Sequence, residues 1–325
     1  MKVFVTGGTG FIGSHVVARL AAGGHEVTCL VRPGHSPEAI ERQGARVVRG
    51  ELGDRESLRR GLEGAEGAIH LAAAYEFWVP DRSLYRQVNV EGVRNVMECA
   101  LERRVAKVVM VSTFGVWGRP TSEPIDESTP FGAERTSEYF QSKYEGEQIA
   151  WQLARSRGLP LVVVYPGAVL GAGDSKASGA YFGLLAHHRM PATLFEEAPF
   201  PFVHVNDVAE VVVRALEKPG NVGERYLAVA EVRTWGEMNA LVSELSGVPL
   251  PRMHMPGPMA LAGAAFLTGL SKLTHRPPPM GMSLDQMRVM RDGGRATGAK
   301  AARELGVAYR PVREAVREFL AAESR

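Results

Sequence analysis

Short apolar runs alternate with amphipathic stretches through the first half of the chain. Residues 2–6, 26–31, 46–49, 68–72, 107–112 and 161–165 are strand-length runs rich in β-branched residues. Between them, 11–22, 37–43, 55–62, 84–103 and 137–157 carry the three-to-four-residue spacing of helices. The strand runs are continuously apolar and not alternating, as expected when a parallel sheet is buried on both faces. Strand alternating with helix predicts an α/β fold, a doubly wound parallel sheet of the Rossmann kind.

After Pro166 the rhythm changes. Prolines crowd in at 191, 199, 201, 249, 251, 256 and 258, and then as Pro277-Pro278-Pro279. The expected organisation is a dinucleotide-binding domain over 1–165, with a return segment near 202–228. Residues 166–201 and 229–325 then form a smaller, mixed substrate-binding lobe. Within it the apolar stretch 258–270 reads as a buried helix, with a greasy lid over a pocket or a membrane-touching surface as the alternatives. It is too short to span a bilayer, which needs about 20 apolar residues. Seven methionines fall between Met253 and Met290, which suits core gap-filling ahead of a pliable apolar pocket.

Composition narrows the classes. The chain has 325 residues, enough for a large core and two lobes. A net charge of +2 without a block of Lys and Arg gives no reason to expect nucleic acid. Two cysteines, Cys29 and Cys99, imply no disulfide framework and favour a reducing cytoplasm. No secretory signal fits the apolar Val3-Phe4-Val5, and no cysteine/histidine spacing suggests a metal.

Chemistry enters at the first turn. Thr6-Gly7-Gly8-Thr9-Gly10-Phe11-Ile12-Gly13 joins the first strand to the first helix. Gly7 permits the tight turn, Gly10 lets backbone approach a pyrophosphate, and Gly13 lets helix and strand pack closely. The helix N-terminus offers free N–H groups to the phosphates. The second strand ends Cys29-Leu30-Val31-Arg32, without the acid that holds the ribose of NAD. Arg32 instead suits a 2′-phosphate, so NADP (NADPH) is expected; NAD remains the alternative if Arg32 only stacks on adenine or faces solvent. His35 and Ser36 are weaker helpers. Asp54 either accepts from the adenine amino group or caps the helix after it. His70 reads as a packed histidine, and the small residues after it let a cofactor lie against backbone.

Tyr139 and Lys143 lie four residues apart, on one face of the 137–157 helix. A positive charge beside a phenol lowers its pKa, so the pair is a proton-transfer device in outline.

Taken in order, Thr6-to-Gly13, His70-Leu71-Ala72-Ala73, Asn89-Val90-Glu91-Gly92, Tyr139 with Lys143, and Val203-His204-Val205-Asn206-Asp207-Val208-Ala209 resemble the extended short-chain dehydrogenase/reductase family (NAD-dependent epimerase/dehydratase type). Val31-Arg32-Pro33 and the apolar pocket candidates look closest to its dihydroflavonol 4-reductase-like branch. The resemblance implies a catalytic hydroxyl at Thr113, with Ser112 as backup or supporting partner. It implies Tyr139 as general acid/base, and Lys143 as holder of the nicotinamide ribose and tuner of the tyrosine. Cofactor contacts are implied at Gly7, Thr9, Gly10, Phe11, Ile12, Gly13, Arg32, Asp54, Leu71, Ala72, Ala73, Tyr139, Lys143 and Pro166. Asn89 supports the site or simply packs its helix. Two departures stand out: Thr113 replaces the commoner serine, and Tyr165-Pro166-Gly167 replaces the usual Arg-Pro.

Phe77-Trp78-Val79-Pro80, Phe114, Trp117, Phe195, Phe200 and Phe202 are on segments that can face the ligand crevice, although each taken singly reads as core ahead of pocket. They point to a small apolar or aromatic substrate. Phe200-Pro201-Phe202 stands where sugar-nucleotide members of the family carry a charge, although Arg189 or Arg233 could bind phosphate. The leading expectation is therefore an NADPH-dependent reductase of a ketone, or the reverse alcohol oxidation. The rivals are a sugar-nucleotide epimerase/dehydratase with a retained cofactor and a non-catalytic NADP-binding sensor. Family habit also allows a homodimer through the helices around 93–103 and 137–157.

Overall fold

The computed structural model describes residues 1–118 and 123–323. Strands β1 (Lys2–Thr6), β2 (Glu26–Val31), β3 (Arg46–Arg49), β4 (Gly67–His70), β5 (Lys107–Val111) and β6 (Leu161–Pro166) lie close to the runs read from the sequence. A further pair, β7 (Ala168–Leu170) and β8 (Pro199–His204), is followed by β9 (Arg225–Ala228). The main sheet has the order β3-β2-β1-β4-β5-β6-β9, and every neighbouring pair is parallel. This is a Rossmann sheet with a seventh strand added.

Its burial explains the continuous apolar runs. Val3, Val5, Val109, Val111, Val162 and Val164 point to one face, where they meet the helices Phe11–Ala22 and Val205–Glu217. Phe4, Val108, Met110, Leu161 and Val163 point to the other, against Arg55–Gly61, Gly92–Glu102 and Glu138–Arg157. Both faces are dry, so neither needs polar positions.

The second sheet is small and mixed. β8 pairs parallel with β7 and antiparallel with β10 (Glu231–Thr234). The expected return to the main sheet is carried by Val205–Glu217 and β9; Phe202 to His204 belong to the second sheet instead. The two sheets adjoin at Gly167, where a Cβ would stand 2.5 Å from the Pro201 carbonyl oxygen.

The expected buried helix over 258–270 exists as Gly257–Thr274, but it is not buried. Only Ala260, Ala264 and Ser271 are fully covered, with Leu261, Leu267 and Thr268 half-buried. Of the seven late methionines, Met287 and Met290 fill core, whereas Met253, Met259 and Met280 are exposed.

Candidate active site

All the glycine-loop and strand-end positions lie on one edge, because parallel strands end together. Gly7 has φ +78°, and a Cβ there would stand 2.6 Å from the Ala72 nitrogen. Only glycine admits both the turn and the close approach of Leu71 and Ala72. A Cβ on Gly13 would stand 2.0 Å from the Gly7 carbonyl oxygen, so helix and turn touch there. The Phe11–Ala22 helix begins at Gly10 with no side-chain cap and no acid in its first turn. Its free N–H groups and positive dipole end fit a pyrophosphate. Thr9, Phe11 and Ile12 frame this end, and Ala73 and Pro166 extend the same edge.

Arg32 is exposed at the end of β2, its guanidinium 3.1 Å from His35 Nε2. Arg49, at the end of β3, donates to the carbonyls of His35 at 2.7 Å and Arg32 at 3.4 Å. Asp54 caps the Arg55–Gly61 helix: its Oδ1 accepts from the backbone of Glu56 at 3.0 Å and Ser57 at 3.2 Å. Of the two roles weighed for Asp54, the cap is the one with a partner in place.

Tyr139 and Lys143 are both buried on the sheet-facing side of the Glu138–Arg157 helix. Lys143 Nζ donates to the Val111 carbonyl at 2.8 Å, at the end of β5. Thr113 follows two residues on and caps a short 3-10 helix, Phe114–Trp117. The expected lowering of the tyrosine pKa does not appear. Burial, helped by Tyr85, pushes the phenol up, because a dry site disfavours phenolate. Burial also lowers the Lys143 pKa to about 8, and Glu147 works against that fall.

The ring of Tyr139 is packed among aromatics. Tyr75 lies 5.1 Å away, Phe140 5.6 Å and Phe77 5.7 Å between ring centroids. Tyr75 keeps 38% of its surface open while its ring packs on the buried Tyr139. Phe114, Trp117, Phe200 and Phe202 are core residues packed on one another and on Tyr165, the placement expected of each taken singly ahead of lining a pocket. Arg233 is engaged by Glu231 at 2.7 Å.

Beneath the pair sits a buried carboxylate. Glu147 accepts from Ser112 Oγ at 2.7 Å, Tyr165 Oη at 2.7 Å and Trp151 Nε1 at 3.1 Å. Ser112 is thereby engaged as a donor to Glu147, the arrangement expected of a supporting partner, and Tyr165 has a reason to replace arginine. Asn89 takes the supporting role also. Its amide donates to Ser142 Oγ at 2.9 Å and its Oδ1 accepts from Ala74 N at 2.8 Å, tying the loop after β4 to the Glu138–Arg157 helix. His70 is held by Thr6 Oγ1 at 2.8 Å, and burial, then Lys143, drop its pKa to about 3. It is a neutral packed imidazole.

A family model described as NAD dependent epimerase/dehydratase matches residues 3–228. The chain belongs to that family. Sterol demethylase protein B of Methylococcus capsulatus is 32% identical over 99% of this chain and 98% of its own length. A 4-hydroxy-2-methyl-3-oxo-4-farnesyl-3,4-dihydroquinoline-1-oxide ketoreductase of Stigmatella aurantiaca is 30% identical over 81% of this chain and 79% of its own. Among solved structures, the UDP-glucose 4-epimerase of Thermus thermophilus in complex with NAD superposes with a TM-score of 0.78 at 26% identity, covering 100% of this chain and 99% of that one. Dihydroflavonol 4-reductase-like proteins and cinnamoyl-CoA reductases are also relatives. The protein is an NAD(P)-dependent oxidoreductase of the extended short-chain dehydrogenase/reductase type.

In this member of the epimerase/dehydratase family, three residues of the site are absent from the sequence reading. Glu147 continues the four-residue spacing of Tyr139 and Lys143, so the spacing is a usable signal. Tyr75 precedes Phe77 by two residues, outside the aromatic run, and has no periodic mark. Arg49 reads as an ordinary strand terminus until β2 and β3 are paired, Val31 against Arg49.

Proposed function

We propose that the protein is an NADPH-dependent reductase that converts a ketone of an apolar, lipid-like substrate to the alcohol, or runs the reverse oxidation. The observation that carries this reading is a buried tyrosine ringed by Tyr75, Phe77 and Phe140, one turn from a lysine docked on the β5 end. Apolar walls suit an apolar substrate, and a few polar groups orient it.

The glycine loop holds the pyrophosphate, Leu71 to Ala73 and Pro166 flank the cofactor, and Asp54 borders the adenine. Arg32 and Arg49 hold the 2′-phosphate, which two guanidinium groups suit better than any residue here suits a bare ribose. Bound NADPH supplies the reducing equivalent. Thr113 hydrogen-bonds the carbonyl oxygen and fixes its direction. Tyr139 gives that oxygen its proton and is re-protonated from solvent past Tyr75. Its raised pKa keeps the proton in place until the oxygen gains charge. Lys143 binds the ribose hydroxyls and, while charged, favours the phenolate left behind.

The relatives support the substrate class: one carries sterol in its name and another acts on a farnesylated ketone. The epimerase reading has less support, because the segment before His204 offers buried Phe200 and Phe202 to a diphosphate.

The test is loss of NADPH or NADH absorbance with a panel of sterol and isoprenoid ketones. Faster consumption of NADPH is expected. Tyr139→Phe should lower kcat about 100-fold or more while leaving NADPH binding intact. Turnover of a sugar nucleotide with no net absorbance change would replace this reading with the epimerase, and full activity in the Phe variant would remove Tyr139 from the chemistry.

A further inference from the structure

The helix Gly257–Thr274 is built inside out. Its protein-facing side carries Ala260, Ala264 and Ser271. Leu261 and Leu267 are half-buried, but four of its large apolar side chains face solvent: Met259 is 63% exposed, Phe266 72%, Leu270 46% and Leu273 82%. At a helical advance of about 100° per residue these four fall in a stripe about 60° wide. Scattered exposed apolar residues need no explanation, but an aligned row of four on a helix that buries alanine does. Met253 and Met280, before and after the helix, are exposed as well.

Charge indicates the occupant. Between Glu244 and Asp285 the chain has no acidic residue at all. Arg252, Lys272 and Arg276 are exposed before, within and after the helix, and they make no ion pair among the described residues. Glu138, on the neighbouring helix, is an acid near enough to act on Lys272, but the helix and its flanks carry only cations, and an apolar stripe so flanked complements the surface of an anionic bilayer. No helix among the described residues is long and apolar enough to cross a membrane, and a one-sided apolar stripe suits a helix in the interface plane.

The helix also borders the candidate active site. Thr268 Oγ1 accepts from Leu284 N at 2.8 Å, at the start of the Leu284–Asp292 helix. Ser283 in turn donates to the Phe77 carbonyl at 3.0 Å, and Asp285 accepts from Glu138 N at 2.9 Å, next to Tyr139.

We propose that the Met259, Phe266, Leu270 and Leu273 face of this helix docks the protein on an anionic lipid surface. The docked helix sets the aromatic mouth at Phe77 and Tyr139 close to the headgroup level, where an apolar substrate is available without crossing water. The surface stands on exposure and charge alone, so it holds whatever reaction the site performs.

The full chain is sedimented with vesicles of equal phosphatidylcholine and phosphatidylglycerol, and with phosphatidylcholine alone. Binding to the anionic vesicles is expected, and it weakens as salt rises. Phe266→Glu with Leu273→Glu should keep the melting temperature and lose binding at least about tenfold. Arg252→Gln with Lys272→Gln and Arg276→Gln should lose on the order of a hundredfold on the anionic vesicles, through charge alone. The proposal is overturned if the wild-type chain sediments with neither vesicle, or if both variants bind as it does. It is also overturned if the chain is a dimer in solution that the two glutamates turn into a monomer, which makes a second copy the occupant.

Discussion

Glu147 supports the Tyr139–Lys143 pair from below, and its charge opposes the larger effect of burial on the lysine. Burial raises the Glu147 carboxyl, while the hydrogen bonds from Tyr165, Ser112 and Trp151 and the charge of Arg225 hold it down; in its ionised form it favours the Lys143 ammonium one turn away. Without the carboxylate, burial alone acts on Lys143, whose pKa is already lowered to about 8. Glu147→Gln keeps an acceptor for Tyr165 and Trp151 but removes the charge. Lys143 then loses its proton at lower pH, so the alkaline fall of kcat/KM should begin at lower pH than in wild type. Glu147→Ala leaves the Ser112, Tyr165 and Trp151 donors unpaired and should cost about 3–5 kcal/mol in urea unfolding. Coincident pH–rate profiles for wild type and the Gln variant would show that Glu147 does not act through Lys143. Tyr139 and Lys143 are legible in the sequence because their spacing aligns them on one helix face. Glu147 shares that alignment, yet a helical glutamate reads as solvated until β5 and β6 are known to cover it.

Among the elements, the segment before Gly92 departs most from its pattern. Apolar spacing predicts one helix over 84–103, and the chain instead runs through a π-helical turn, Arg86–Glu91, before Gly92–Glu102. No residue type marks such a turn, which is stabilised by what it reaches. Here it delivers Asn89 to Ser142 and to the Ala74 backbone, and so fixes the loop that carries Tyr75 and Phe77. The turn can come that close only because Gly146 faces it: a Cβ there would stand 1.9 Å from the Asn89 carbonyl oxygen. Gly146→Ala should therefore destabilise the protein by about 1–3 kcal/mol, despite alanine's higher helix propensity. Gly263, also within a helix, has open space where its Cβ would go, and Gly263→Ala should stabilise by up to about 1 kcal/mol. Equal shifts of the urea midpoint in the two variants would show that propensity, and not the contact with Asn89, governs Gly146.

Across the whole molecule, the two sheets differ in how far their sequences disclose them. The main sheet is legible because burial on both faces demands unbroken apolar runs. The second sheet is not: its strands are short, and β8 holds Pro199 and Pro201, which break the pattern of a strand. The Gly257–Thr274 helix is legible as a helix but its exposure is not, because apolar composition does not say which medium covers a face. The loop after β7 carries a consequence for the stability of the whole chain. Asp174 is buried there, with Oδ1 accepting from Lys176 N at 3.2 Å and Oδ2 lacking a hydrogen-bond partner among the described residues. Burial raises its carboxyl from 3.8 to about 7. Between those pH values the folded chain holds a proton that the unfolded chain has released. Stability from this group is thus fully present below about pH 4 and falls by about 1.4 kcal/mol per pH unit until the folded carboxyl also ionises near pH 7. Asp174→Asn mimics the protonated form at every pH. It should raise Tm at pH 8 and leave it nearly unchanged at pH 4, where wild type already carries the proton. A variant whose Tm gain is the same at both values would show that Asp174 enters the folded state ionised.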